Sequence, residues 1–318
     1  MHHTAADAAT CAALSETFAE PLPGTAAVAG SWLCLEQRGP WGHNALVQSH
    51  LDPELGRALS ARTDEHGVRI QLIRQPGRHA DTADGQPRRV FLAHTAPGTG
   101  WLRTTTVDNP ADLLELDFGR IAAGHHDGWG RPVADPLLLV CTNGRRDRCC
   151  ALLGRELITE LAGRHDGSIW ESTHTGGHRF APAAVVLPSG YTYGRLTAPA
   201  AEAVLSSAAA GKVVLDHCRG RSSWTRAGQT AELAVREHIG EYLADALRVT
   251  AEENGQVTIG HQDGRSWQVE VREHELDPPR PNSCGKKAVR PTTCTAETIN
   301  GRPTHPPQNP TAWASPRS

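Results

Sequence analysis

Four soft donors fall within about forty residues of this chain: Cys141, Cys150, His174 and His178. Two thiols and two imidazoles form the donor set of zinc and iron–sulfur sites, so a fold that uses them must bring both segments to one place. The spacing is C-x8-C, or C-x7-C if Cys149 is used, then about two dozen residues, then H-x3-H. A zinc knuckle has two to four residues between its cysteines, so the histidine half fits that pattern and the cysteine half does not. Two histidines at i and i+4 can share a helix face, but Gly176 and Gly177 stand between these two. Each glycine costs a helix about 1 kcal/mol, which predicts instead a loop whose backbone closely approaches a neighbour. Such a loop leaves room for a bulky cofactor.

The flanking pattern is that of an open α/β sheet. Pro136-Leu-Leu-Leu-Val-Cys141 is a continuous apolar run, the mark of a strand buried on both faces. Cys141 closes it, at the carboxyl end where such sheets carry functional groups. Residues 149–162 have helical periodicity in Leu152, Leu153, Leu157 and Leu161, which puts Cys150 near a helix start, where free N–H groups stabilise a thiolate. A strand at 168–173 leads to His174, a hairpin follows at 183–195 around Pro188-Ser-Gly190, and then come a helix at 199–210 and a strand at 213–215. The order is β-α-β-β-β-α.

The run Val140-Cys141-Thr-Asn-Gly-Arg-Arg-Asp-Arg-Cys149-Cys150, with Trp170-Glu-Ser-Thr-His174-Thr-Gly-Gly-His178 and Leu187-Pro-Ser-Gly-Tyr-Thr-Tyr-Gly-Arg-Leu, resembles the sucrase/ferredoxin-like family. That family is similar to thioredoxin-like [2Fe-2S] ferredoxins in which the second cysteine pair has become an H-x3-H pair. Glu20-Pro-Leu-Pro-Gly-Thr-Ala, Leu35-Glu-Gln-Arg-Gly-Pro-Trp-Gly and Pro281-Asn-Ser-Cys-Gly-Lys-Lys extend the resemblance over roughly residues 10–295. It implies a [2Fe-2S] cluster on Cys141, Cys150, His174 and His178, electron transfer, and a redox partner protein. Asn143 stands where many relatives carry a histidine and is not counted as a ligand. The doubled Cys149-Cys150 leaves the second thiol ligand open, and the x8 spacing favours Cys150. Two thiolates with two neutral imidazoles make a cluster less negative than four thiolates do, so its potential should be raised. The second ring nitrogens make that potential pH-dependent. Arg145, Arg146, Arg148 and Arg179 offer positive charge that favours reduction or docks an acidic partner, unless they pair with Asp147 and Glu171.

Elsewhere the chain is less specific. Its 318 residues allow two domains. A net charge of -3, with no basic tract, argues against nucleic acid as a partner. No stretch of eighteen apolar residues and no secretory leader is evident, so neither a membrane nor export is expected. Eight cysteines, two of them adjacent, do not read as a disulfide framework, and a reducing cytoplasm is the consistent compartment.

The first half predicts a helix at 7–20 with Cys11 in the core, and a strand at 25–35. A turn at Gly39-Pro40-Trp41-Gly42 follows, with Trp41 either a contact residue or packing over the strand end. Next come a helix from Asp52 as N-cap and strands at 68–73, 89–94 and 102–107, around a Gly- and Asp-rich loop at 76–87. This reads β-α-β-β-β.

The expected fold class is therefore α/β, a thioredoxin-like ferredoxin domain (131–218) preceded by an α/β sandwich domain of similar size (1–130). A carboxy-terminal helix and hairpin (219–276) then pack on the core, and a Pro-rich tail (277–318) is largely without order. His125-His126 is a weak metal candidate. Arg219-Gly-Arg-Ser-Ser-Trp224 reads as a docking patch or a surface linker, and Cys284 and Cys294 as ordinary thiols or a metal pair. Two other functions fit the motifs: a structural Cys2His2 zinc site in a binding protein, and a thiol-disulfide oxidoreductase using Cys149 or Cys150. Against the latter, no C-x-x-C occurs and a vicinal pair closes only a strained ring. Nothing reads as the paired carboxylates of a glycosidase.

Overall fold

In the computed structural model, which describes residues 10–77, 86–165 and 167–302, the apolar runs become the middle of one ten-stranded sheet. In the first half, helix α1 (Cys11–Thr17) precedes β1 (Ser31–Glu36), α2 (Pro53–Glu65), β2 (Val68–Arg74), β3 (Arg88–His94) and β4 (Trp101–Val107). Helix α2 starts where the sequence says it must: the Asp52 carboxylate accepts the N–H groups of Glu54 and Leu55 at 2.8 and 2.9 Å. A 3-10 turn at Pro110–Glu115, α3 (Phe118–Ala122) and the short β5 (Arg131–Pro132) complete this half. The second half runs β6 (Leu137–Cys141), a π-helical turn at Cys150–Gly154 continuing into α4 (Arg155–Glu160), β7 (Ile169–Ser172), β8 (Ala184–Leu187), β9 (Tyr191–Tyr193), α5 (Ala198–Ala209) and β10 (Cys218–Arg221).

The two halves repeat one topology. β1 pairs parallel with β2 and antiparallel with β3, which pairs antiparallel with β4. Likewise β6 pairs parallel with β7 and antiparallel with β8, which pairs antiparallel with β9. The α/β class and the β-α-β-β-β order of each half are those the sequence predicts. The halves join edge to edge where β2 meets β7 antiparallel, so the segments 1–130 and 131–218 contribute to one sheet. Strand β6 is buried throughout, with alternate residues on opposite faces. Leu138 and Val140 pack with Leu157, Ile158 and Val204, while Leu137 and Leu139 join Trp32, Ile73, Phe91 and Trp170 in a core common to both halves.

Beyond the sheet, the expected carboxy-terminal helix is α6 (Arg226–Ile239), which ends at Gly240 in the left-handed region. Strands β11 (Leu247–Glu253), β12 (Gln256–His261) and β13 (Ser266–Glu275) follow, the last two forming the expected carboxy-terminal hairpin, which turns at Asp263-Gly264. Ala231 and Val235 of α6 pack on this second sheet, while Leu233 reaches the core of the first.

Two differences from expectation have physical causes. Strand β10 replaces the strand expected at 213–215, because Arg219 and Arg221 are buried by hydrogen bonds to backbone carbonyls rather than left on a linker. Within the tail expected to be largely without order, β14 (Arg280–Pro281) pairs with β15 (Ala288–Val289), and β16 (Thr292–Arg302) pairs along the whole of β13. Polar side chains hide such a strand from a hydrophobicity reading, since only its inner residues, such as Cys294 and Ile299, meet the core. The rest of the tail and part of the 76–87 loop lie outside the described residues.

Candidate metal centre

Cys141 ends β6, and Cys150 opens the π-helical turn that returns toward it. The return is tight: a side chain at Gly154 would put its first carbon 2.2 Å from the Cys141 carbonyl oxygen. Cys141, Cys150 and His174 bring one ligand atom each within 4.8 Å of one another, close enough to hold a metal ion. Both cysteines are buried. The Cys150 thiol donates to the Cys141 sulfur, and this bond outweighs burial. Together with the His174 side chain and the Thr175 N–H, it holds Cys141 well below the usual thiol range. The same bond, with burial, pushes Cys150 up.

His174 and His178 lie on the loop after β7, their rings stacked with centroids 4.6 Å apart. The glycines between them do what the sequence asks of them. Gly176 and Gly177 both have positive φ, and a side-chain carbon on Gly177 would lie 2.2 Å from the Arg219 guanidinium. Arg219 in turn donates to the Gly176 carbonyl at 2.9 Å, and the His174 carbonyl accepts from Arg69 at 3.0 Å and Gln71 at 3.2 Å. Burial and then the neighbouring His174 push His178 down to about 4, so it is neutral at pH 7, the form in which imidazole ligates metal. Among the described residues, neither Nδ1 of His174 nor Nδ1 of His178, both buried, has a hydrogen-bond partner. Leaving such an atom unpaired costs about 1–3 kcal/mol, so each is placed for a bond that the polar groups of the described residues do not make.

The vicinal thiols have different neighbours. Cys150 lies with Cys141 and His174, whereas the Cys149 sulfur is 3.4 Å from Cys11 and 3.4 Å from Cys284. Asn143 sits inside the loop, its side chain donating to the Gly42 carbonyl at 3.2 Å. Trp41 is buried, with its indole N–H on the Gln37 carbonyl and the Arg74 guanidinium 4.3 Å from its ring centre, so it packs over the strand end. His126 packs edge-on against Trp101.

The arginines differ from the sequence expectation. Arg145, Arg146 and Arg148 are exposed, and Arg146 lies 3.2 Å from a His43 ring nitrogen. Arg179 pairs with Glu20, while Glu171 pairs with Arg74 at 2.6 Å. Among the cations that interact electrostatically with the two thiols are Arg69, acting on Cys141, and the fully buried Arg219, acting on Cys150. No spacing rule marks them, because both are brought in by neighbouring strands. All eight cysteines are free thiols. Among the described residues no helix is long and apolar enough to cross a membrane.

The sucrase/ferredoxin-like family model matches residues 22–220, a span that contains both thiols and both histidines. No curated protein and no solved structure matches the chain.

Proposed function

The chain belongs to the sucrase/ferredoxin-like family, and from that premise we propose that it is an electron-transfer protein whose Cys141, Cys150, His174 and His178 hold a [2Fe-2S] cluster. The observation that carries the reading is the pair of buried, unpartnered Nδ1 atoms on stacked histidines, set beside two buried thiols. When bound, such a cluster supplies one reversible electron. The chain's own groups set how readily it is taken up. Two neutral imidazoles in place of two thiolates remove negative charge, and Arg69 and Arg219 add fixed positive charge behind the thiols; both favour the reduced state. With Nδ1 of His178 given to a ligand bond, its Nε2 carries the proton, and it faces the Asp147 carboxylate at 3.8 Å. Electron uptake by a bound cluster would thereby be coupled to the proton that His178 holds at that nitrogen.

A cleft lined by His43, Arg69, Gln71, Asn143, Arg146 and His174 reaches the histidine side of the site. With the exposed Arg146 among its lining residues, it suits an acidic redox partner protein in a reducing cytoplasm. A second reading is a single zinc ion on Cys141, Cys150 and His174, favoured by the 4.8 Å span of those three donor atoms, which one ion can bridge.

The test is the absorption spectrum of anaerobically purified protein with iron, sulfide and zinc analysis. Red-brown protein with near-equal iron and sulfide supports the cluster, and colourless protein with zinc but no iron refutes it. Substituting His178→Cys should keep the colour, lower the potential by on the order of 100 mV and weaken its pH dependence. A potential that does not move removes His178 from the ligand set.

A further inference from the structure

Cys149, the thiol that turns away from the first site, ends in a second cluster of metal-ligand type. Its sulfur lies 3.4 Å from that of Cys11 and 3.4 Å from that of Cys284, and the Cys284 and Cys11 sulfurs are 3.6 Å apart. Both oxygens of Asp147 lie 3.8 Å from the Cys11 sulfur. One donor atom from each of the four residues falls within 4.8 Å of all the others, and three of the four residues are buried.

From this geometry we propose that Cys11, Cys149, Cys284 and Asp147 form a second metal site that binds one zinc ion in a closed, structural, tetrahedral coordination. Zinc–sulfur bonds of about 2.3 Å place tetrahedral sulfurs roughly 3.8 Å apart, so the observed triangle needs only a slight expansion to accept the ion. A disulfide, with its bond of about 2.05 Å, would join two of the thiols and strand the third. A [2Fe-2S] cluster takes only two ligands on each iron, whereas these three sulfurs all lie within 3.6 Å of one another, the spacing of ligands on a single ion. Three thiolates and a carboxylate, with no open position, is the donor set that selects zinc.

The surroundings already resemble an outer shell. The N–H of Ala12 points at the Cys149 sulfur and that of Cys11 at the Cys284 sulfur. Asp147 is oriented by the N–H groups of Cys149 and Cys284, each at 2.9 Å, and by the Ser283 hydroxyl at 2.8 Å. Binding displaces the thiol protons and leaves the metal's charge unchanged, so no oxidant or reductant is required. The ion would tie together three segments far apart in sequence: α1, the loop before Cys150, and the tip of the β14–β15 hairpin. Because Cys149 and Cys150 are adjacent, it would also brace the first site from behind. The inference does not depend on what the first site holds.

Metal analysis of full-length protein and of three variants, with thiol titration and intact mass, tests it. The expected result is one zinc per chain that persists in Cys141→Ser and is lost in Cys284→Ser and Cys149→Ser, with the iron content of Cys284→Ser unchanged. Cys284 is the most exposed of the four, so its serine variant is the one least prone to unfold, which circular dichroism checks. Cobalt(II) added to metal-free protein gives a second readout: tetrahedral thiolate bands that survive Cys141→Ser and vanish in Cys284→Ser. Wild-type protein without zinc, zinc lost in Cys141→Ser but kept in Cys284→Ser, or a mass two hydrogens low from a Cys11–Cys149 disulfide would each overturn the proposal.

Discussion

Replacing Gly154 by alanine sets two opposed effects against each other at the first candidate metal centre. Gly154 has an ordinary helical backbone, with φ of -68°, so alanine brings no backbone strain and gains about 1 kcal/mol of helix propensity. The new methyl carbon, however, would sit 2.2 Å from the Cys141 carbonyl oxygen and 3.3 Å from its carbonyl carbon, both in a central strand that cannot yield. Ordinary carbon contacts begin near 3.5 Å, so the turn carrying Cys150 must retreat by roughly 1 Å. Overpacking of this kind costs about 1–3 kcal/mol, which leaves the metal-free protein destabilised by roughly 0–2 kcal/mol once the propensity gain is subtracted. A metal held at the proposed site would feel more than the fold does. Ligand distances tolerate only about ±0.2 Å, and the retreat separates Cys150 from Cys141 by several times that. Metal retention against a chelator should fall by at least about tenfold, equivalent to roughly 1.4 kcal/mol. The assays are metal-to-protein ratio after chelator challenge and urea unfolding of the metal-free form. A variant with full metal content and stability raised by about 1 kcal/mol would show that propensity alone matters at this position, and that the strand and turn are not in contact.

Three other substitutions probe the supports of the site. Gly177→Ala combines a left-handed backbone cost of about 1–2 kcal/mol with displacement of Arg219 from charged hydrogen bonds of about 1.5–3 kcal/mol, and should lower urea stability by roughly 3–5 kcal/mol. Arg74→Met leaves the Glu171 carboxylate buried without its guanidinium, at a cost of about 3 kcal/mol, and adding Glu171→Gln should restore most of it; failure of that rescue would mean the pair is not what matters. Burial, with Arg221 and His125 nearby, lowers His94 below the usual 6.5. The folded chain therefore favours its neutral form. The stability that His94 contributes is present above its unfolded value and is lost as pH falls through that value toward the folded one. Denaturant midpoints of His94→Gln should drop less than wild type between about pH 7 and 5, and parallel curves would refute the assignment.

Local sequence determined the elements and half of the chemistry. The apolar run at 137–141 could only be a doubly covered strand, and it is buried along its whole length. The two glycines between His174 and His178 required a loop under close approach, and the Arg219 guanidinium fills the space a side chain would need. The β-α-β-β-β order was legible twice, because each strand and helix carries its own periodicity. That β2 and β7 would join the two halves into one sheet was not, since their pairing covers only Ile73 with Ser172 and Arg74 with Glu171 and leaves no mark in either segment.

Tertiary structure decided what each thiol meets. Cys11 read as a small core residue and Cys284 as an ordinary thiol, yet they converge on Cys149 across sequence separations of 138 and 135 residues. Arg219 read as surface and lies buried behind the histidine loop. The physical reason is range. Backbone preference, capping and hydrophobic period act over a few residues and can be read from them, whereas the company of a donor atom depends on which distant segments the packed sheet brings together.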